Sequence, residues 1–376
     1  MPPRSYKLTM NYITFDDLYR AYEDCRKHKK NKSGAKKFEA FAFYNLRILL
    51  DEINSFEYKL RPAQCFVVKY PTAREVFCCD FRDRIVQHFI FNELNPYIEP
   101  LFVYDTASCR KHKGGDFAVS RVSSFLRKCT KDYTEGCYIL KMDIKGFFMH
   151  LSRDRIYKLV EDIIDNYYKG DYSCILKYLL NVIIYSDITK DVKFMSPESD
   201  WDLIPKEKSL FGNSNGLPIG NICSQLFANF YLNDLDHLIK SREKYYSRYV
   251  DDMVVIGDDY EHLQETLQLV NEYLPSIGLR LNPKKTFIKY SKSGITYLGV
   301  TIKPFYNVLS KSRINRMYYT SCNNGYSLAL AGARSRKGMI VRYHGHKVYL
   351  RWFSKLSCSR DYYITSNNCI LPRNSV

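Results

Sequence analysis

Tyr249-Val250-Asp251-Asp252-Met253-Val254-Val255-Ile256 sets two adjacent carboxylates inside an otherwise apolar run rich in β-branched residues. Such a run reads as a buried strand. A strand interior rejects an unpaired carboxylate, because a charge taken out of water needs a compensating cation. A second run, Tyr138-Ile139-Leu140-Lys141-Met142-Asp143, is also an apolar strand that ends on an acid. If the two are neighbours in one sheet, Asp143, Asp251 and Asp252 converge on one spot. Carboxylates gathered without His or Cys ligands suit a hard, oxygen-seeking divalent ion such as Mg²⁺. Two such ions about 3.5–4 Å apart would activate a hydroxyl and neutralise a leaving pyrophosphate. Taken alone, Asp251-Asp252 also reads as a plain hairpin turn, where Asp is common. The next acidic pair, Asp258-Asp259, reads as the cap and first turn of a helix ahead of Glu261.

Around these strands lie 376 residues, 45% hydrophobic and 15% aromatic, which is ample for a core and excludes disorder as the organising principle. The chain carries 57 Lys and Arg against 40 Asp and Glu, a net charge of +17, which points to a polyanionic partner. The excess is uneven. From Lys303 to Val376 there are 13 Lys and Arg and one acid, Asp361, interleaved with Tyr318, Tyr319, Tyr343, Tyr349, Trp352 and Phe353. Cations for phosphates and flat rings for sugars and bases describe a nucleic-acid surface, the plainer reading being a solvated basic face over core aromatics. A second basic run holds Arg26, Lys27, Lys29, Lys30, Lys32, Lys36 and Lys37. The twelve cysteines are scattered, with no C-x-x-C, and read as reduced, mostly buried residues rather than a zinc or disulfide framework. No apolar run approaches the ~18 residues of a membrane helix, and Met1 to Met10 has no apolar leader segment. No membrane partner and a cytoplasmic location are expected.

Along the chain, residues 14–60 read helical, with Thr14 as cap and Pro62 as breaker. Cys65–Val68 and Val76–Cys78 form two strands across a Pro71-Thr72-Ala73 turn. Asp80 or Asp83 opens a helix to Ile98. The Tyr138–Asp143 strand precedes helices over Ser152–Tyr168 and Tyr172–Ile184. Residues 187–215 read as an insertion or long loop, followed by a long helix Ser224–Glu243, the Asp251-Asp252 hairpin, a helix over 260–276, and strands near 279–281, 286–290 and 295–302. The fold class is α+β.

The order of motifs resembles the reverse transcriptases. Tyr249-Val250-Asp251-Asp252 is similar to their Y-x-D-D signature, Arg82 to His88 and Ala107 to Gly115 to the two fingers blocks, and Asp143 with Gly146-Phe147-Phe148 to motif A. Gly216-Leu217-Pro218-Ile219-Gly220 resembles motif B, Leu281 to Thr286 motif D, and Tyr297-Leu298-Gly299-Val300 the primer-grip block. The resemblance covers roughly residues 60–302. It implies a right-hand polymerase: fingers in 1–137, a palm in 138–302 whose antiparallel sheet carries the catalytic acids on helices, and a basic, short helical thumb and tail in 303–376. It implies that Asp143 and Asp251 hold two Mg²⁺ ions (Mn²⁺ as a substitute), with Asp252 helping. Phe147, or its neighbour Phe148, would exclude a 2′-OH. Lys69, Arg74, Gly220, Gln225 and Lys285 would meet the dNTP, Gly216 and Gly220 would let backbone approach template and nucleotide, and Tyr297, Leu298 and Gly299 would hold the primer.

Ile219-Gly220-x-x-x-Ser224-Gln225 departs from the intron and retron pattern and is similar to the reverse transcriptases of diversity-generating retroelements. That resemblance implies a bacterial, archaeal or phage-encoded enzyme copying a template-repeat RNA into cDNA with errors at adenines, and a small basic accessory protein as partner besides the template RNA, the RNA/cDNA hybrid and dNTPs. Only 74 residues follow Ile302, so no endonuclease or RNase H-sized extension is expected. The competing readings are a retron-like or phage-defence reverse transcriptase, and an RNA-binding protein on an inactive polymerase scaffold.

Overall fold

The computed structural model describes residues 11–27, 29–69, 72–315, 342–343, 346–356, 359, 362–364 and 370–372. Most of the expected thumb, with Tyr318 and Tyr319, lies outside the described residues, as does Pro71 of the expected turn.

Helix α1 (Phe15–Arg26) starts at Thr14, whose hydroxyl accepts from the Asp17 amide while the Asp17 carboxylate accepts from the Thr14 amide. This reciprocal cap satisfies two donors that a helix start leaves open. The rest of the stretch expected to be helical to residue 60 is two helices, α2 (Ser33–Glu39) and α3 (Ala42–Asn54). β1 (Gln64–Val68) and β2 (Arg74–Cys78) pair antiparallel. α4 (Phe81–Ile98) opens on Asp80, whose carboxylate accepts from the Arg82 amide. α5 (Gly115–Cys129) leads to β3 (Tyr138–Asp143), then α6 (Phe147–His150), α7 (Arg153–Asn166) and α8 (Ser173–Tyr185). The 187–215 stretch is not a bare loop: its β4 (Lys193–Phe194) pairs parallel to β1, and α9 (Glu198–Trp201) follows. The expected single helix 224–243 is α10 (Ile222–Tyr231) and α11 (Asn233–Arg242), and Asn221, not Ser224, is the residue before the first turn. β5 (Tyr245–Tyr249), β6 (Asp252–Gly257), α12 (Tyr260–Ser276) and β7 (Phe287–Tyr290) complete the central run, with Asp259 accepting from the His262 amide as the α12 cap. The expected strand 295–302 is a hairpin of β8 (Ile295–Tyr297) and β9 (Val300–Lys303), followed by β10 (Tyr306–Leu309).

The chain forms two compact units. The first draws on Met1–His112, Ile144–Ile239 and Leu269–Asn282. In it α1 and α10 pack on α4, α7 packs on α8, and the sheet order is β2-β1-β4. The charged residues of the first fingers block are internal struts here. Arg82 pairs with Glu52 and lies 5.0 Å above the Tyr58 ring, and Asp83 accepts from the Tyr58 hydroxyl and the Arg61 amide, each at 2.9 Å. Burial, aided by the Lys29 charge, lowers the His88 imidazole to about 4. Its folded pKa lies below the unfolded 6.5, so the unfolded chain takes up a proton first and stability falls as pH drops from about 6.5 towards 4. His88→Gln is expected to flatten that fall by roughly 1–3 kcal/mol at pH 4, read from paired thermal melts. Parallel melting curves would refute the assignment.

The second unit draws on Lys113–Asp143, Lys240–Gln268 and Pro283–Val376. Its four-stranded antiparallel sheet runs β5-β6-β3-β7, with α5 packed against β5, and a second sheet runs β10-β9-β8. The α+β class is borne out. One expectation fails: Tyr343, Tyr349, Trp352 and Phe353 are buried, Tyr349 lying 5.7 Å from Trp352. These rings close a core and cannot stack on bases. Among the described residues no helix is long and apolar enough to cross a membrane.

Candidate active site

The two acid-bearing strands are neighbours, as their sequences suggest. β3 and β6 pair so that Asp143 stands directly opposite Asp252, which is also opposite Tyr249 on β5. Val250 and Asp251 are the two-residue turn between β5 and β6, so the third acid adjoins this pair. Val250 has φ 58°, a left-handed backbone that a β-branched residue adopts only under constraint. The constraint has a visible source. Arg248 is fully buried and its Nη1 donates to the Val250 carbonyl at 3.0 Å, so both sheet pairing and a side chain hold the turn.

Like charges directly opposite in a sheet repel, and two lysines answer them. Lys141 Nζ lies 3.1 Å from Asp252, and Lys285 Nζ lies 2.9 and 3.1 Å from the two Asp143 oxygens. Burial, then the neighbouring Asp251 and Asp143 charges, push the Asp252 carboxyl up to about 6, with Lys141 opposing. Burial works against the Lys285 charge, but the Asp143 bond and the Asp251 and Asp252 charges hold it above the ordinary lysine range. Among the described residues no three acid, His or Cys side chains are gathered closely enough to hold a metal as they stand. The chemistry of the set nonetheless fits a divalent cation. Every candidate donor is a carboxylate oxygen, and Asp252 Oδ1 is buried without a hydrogen-bond partner among the described residues.

The residues expected to hold the primer belong to the same unit. Tyr297 is buried, and Leu298 and Gly299, with φ 49° and 80°, form the β8–β9 turn. Arg313 donates to the Leu298 carbonyl at 2.7 Å, and a Cβ on Gly299 would meet the Arg313 side chain at 2.8 Å.

The remaining candidates lie in the first unit. Arg74 is exposed at the start of β2. Lys69, just past β1, is paired at 2.7 Å with Asp200 of the 187–215 segment. Phe147 is almost wholly buried, and Phe148 is half-buried, packed on a cluster that includes Ala63, Cys65 and Phe77. The Ile219 carbonyl accepts from the Phe77 amide at 2.9 Å, which ties motif B to β2. Gly220 has φ 117°, and a Cβ there would meet the Phe77 carbonyl oxygen at 2.7 Å; at Gly216 a Cβ would meet the Met149 carbonyl at 3.0 Å. Each glycine lets the chain's own backbone come close. Ser224 is buried in the first turn of α10, and Gln225 beside it is exposed.

Three residues at these sites escaped the sequence reading: Lys141, Arg248 and Asp200. For two of them a signal was available, since a lone cation inside an apolar strand beside acids reads as their counter-charge. Asp200 had none, because its partner is 131 positions away.

Opposed aspartates beside a braced hairpin are an arrangement that a carboxylate-dependent nucleic-acid polymerase can use. Residues 69–302 match the family described as reverse transcriptase (RNA-dependent DNA polymerase), and the chain belongs to that family. No curated protein matches it by sequence. Solved structures similar to it include apo telomerase from Candida tropicalis, with 12% identity, TM-score 0.48, and coverage of 79% of this chain and 54% of that one. Telomerase from Candida albicans, in complex with the TWJ fragment of telomeric RNA, has 12% identity, TM-score 0.43, and coverage of 82% and 62%. The chain therefore spans between half and two thirds of the length of those telomerase chains.

Proposed function

We propose that the chain is an RNA-templated DNA polymerase whose chemistry is carried by Asp143, Asp251 and Asp252. The observation that carries this reading is the register pairing of Asp143 with Asp252, with Asp251 in the adjoining braced turn. Two Mg²⁺ ions, or Mn²⁺ in their place, would be held by Asp143 and Asp251 with help from Asp252, and when bound they supply charge neutralisation at the attacking and leaving oxygens. The protein's own part is positional. Arg248 and the sheet fix the turn, so Asp251 needs no reorganisation to reach its working place. Lys285 neutralises Asp143 before substrate arrives and then has a leaving phosphate within reach of the same pocket. Arg74 and Lys69 meet the triphosphate, for which Lys69 must leave Asp200. Phe147, with Phe148 beside it, excludes the 2′-OH. Residues 1–137 serve as fingers and 138–302 as palm, with a thumb in 303–376.

We assign the enzyme to the diversity-generating subgroup on Ile219-Gly220 and Ser224-Gln225. The exposure of Gln225 at the start of α10 supports a contact with the nucleotide or template, and Ile219 and Ser224 shape its support. The enzyme then copies a template-repeat RNA in the cytoplasm with a small basic accessory protein. The test is primer extension on a defined RNA with Mg²⁺ and four dNTPs, with and without that protein, followed by cDNA sequencing. Substitutions concentrated opposite template adenines are expected. Uniformly accurate cDNA would keep the polymerase and remove the subgroup.

A further inference from the structure

Tyr343, Tyr349, Trp352 and Phe353, four of the rings expected to stack on bases, are buried, yet the other basic run of the chain carries rings that are open. Phe41, Phe43 and Tyr44 are 71%, 68% and 68% exposed, at the joint between α2 and α3. Isolated exposed rings are ordinary, but three within four residues form a patch. They are held rather than loose. Phe43 stacks at 5.9 Å on both Phe15 and Tyr19 of α1, and the Asn45 amide donates to the Phe38 carbonyl at 2.9 Å, fixing the joint.

The surroundings of the patch decide its partner. Residues 27–50 hold seven Lys and Arg and a single acid, Glu39. Glu39 is already engaged by Arg26 at 2.8 Å. Among the described residues none of Lys29, Lys30, Lys32, Lys36 and Lys37 forms an ion pair, and Lys27, Lys30, Asn31 and Lys32 line a hollow beside α2. Phe43 and Arg47 share one helical face, as do Tyr44 and Ile48, so the rings continue into a cation, one that pairs with Asp51 at 3.4 Å. A partner with an apolar face alone would leave these cations uncompensated, and a basic protein would be repelled by them. Duplex bases are stacked away from such rings, whereas an unpaired strand offers a ring face with every nucleotide and a phosphate between each.

We infer that the α2–α3 joint is a binding site for single-stranded polynucleotide, with Phe41, Phe43 and Tyr44 as the stacking platform and the Lys29–Lys37 run as the phosphate track. The site belongs to the first unit, shares no residue with the acid cluster, and is independent of the polymerase reading.

The experiment uses the full chain without dNTPs or metal, so its failure is distinct from a failure of polymerisation. Fluorescein-labelled twelve-nucleotide oligouridine, the matching single-stranded DNA and a blunt duplex are titrated by anisotropy at 150 mM salt. Phe41→Ala/Phe43→Ala/Tyr44→Ala is expected to weaken oligouridine binding about tenfold or more and duplex binding less than twofold. Loss for RNA alone, or for RNA and DNA together, supports the site and tells which sugar it accepts. Lys36→Gln/Lys37→Gln is expected to make the salt dependence shallower by about two counterions. Oligouridine containing 4-thiouridine should crosslink within residues 36–48. Unchanged single-strand affinity in the triple variant at an unchanged melting temperature, or crosslinks that avoid this segment, would overturn the inference, as would loss of a protein partner with strand binding intact.

Discussion

Asp251→Asn is expected to lower DNA synthesis on an RNA template by a thousandfold or more while the melting temperature stays within a few degrees of the parent. Asn keeps the shape of the side chain and removes its charge. Asp251 adjoins Asp252, whose carboxyl is already raised by burial and by the charges of Asp251 and Asp143. Removing one of three mutually repelling charges therefore costs the fold little and relieves some strain. Catalysis would suffer differently, because on the proposed reading the lost carboxylate would hold a divalent cation that neutralises charge in the transition state. A thousandfold loss corresponds to about 4 kcal/mol of barrier. Single-turnover primer extension beside a thermal melt separates the two effects. Normal synthesis by the variant would remove Asp251 from the site.

The second large effect falls on the fold. Gly220→Ala is expected to destabilise the chain by about 2–4 kcal/mol, beyond what a turn glycine alone would cost. At φ 117° an L-residue is strained, and the new Cβ would lie 2.7 Å from the Phe77 carbonyl oxygen and 2.9 Å from the Val76 side chain. The backbone cannot step aside freely, since the Phe77 amide donates to the Ile219 carbonyl next door. Gly278→Ala is the control, because it too has a positive φ, 75°, but nothing lies within 4 Å of its added methyl. That variant should lose only about 1 kcal/mol. Urea midpoints for the pair decide the matter, and equal losses would show that contact with Phe77 is not what demands glycine at 220.

The part of the site built from consecutive residues was legible in the sequence. An apolar strand ending on Asp143 and a run interrupted by Asp251-Asp252 announce costly acids, and the pairing of β3 with β6, only a condition in the sequence, is what the structure supplies. What depends on distant partners was not. Lys69 reads as a free cation on the fingers hairpin until Asp200 of a remote segment is folded onto it. Tyr349 and Trp352 read as a stacking surface because composition does not reveal which side of a helix meets a core. Local breaks were missed where no breaker marks them. Leu232 interrupts α10 and α11 without Gly or Pro, and Leu298 takes a left-handed turn conformation that its side chain does not advertise. At Gly220 the glycine is legible in the sequence, but its contact with Phe77, 143 positions away, is not.

The most direct test of the acid cluster as a polymerase centre is incorporation of labelled deoxynucleotide on a primed RNA template, with Mg²⁺ and with Mn²⁺, by the full chain with and without the proposed accessory protein. Template-length cDNA is expected that depends on the divalent ion, uses deoxynucleotides in preference to ribonucleotides and disappears in Asp143→Asn. An absence of product with either ion on the cognate template, from protein that binds that RNA, would contradict the polymerase reading and leave a binding scaffold in its place.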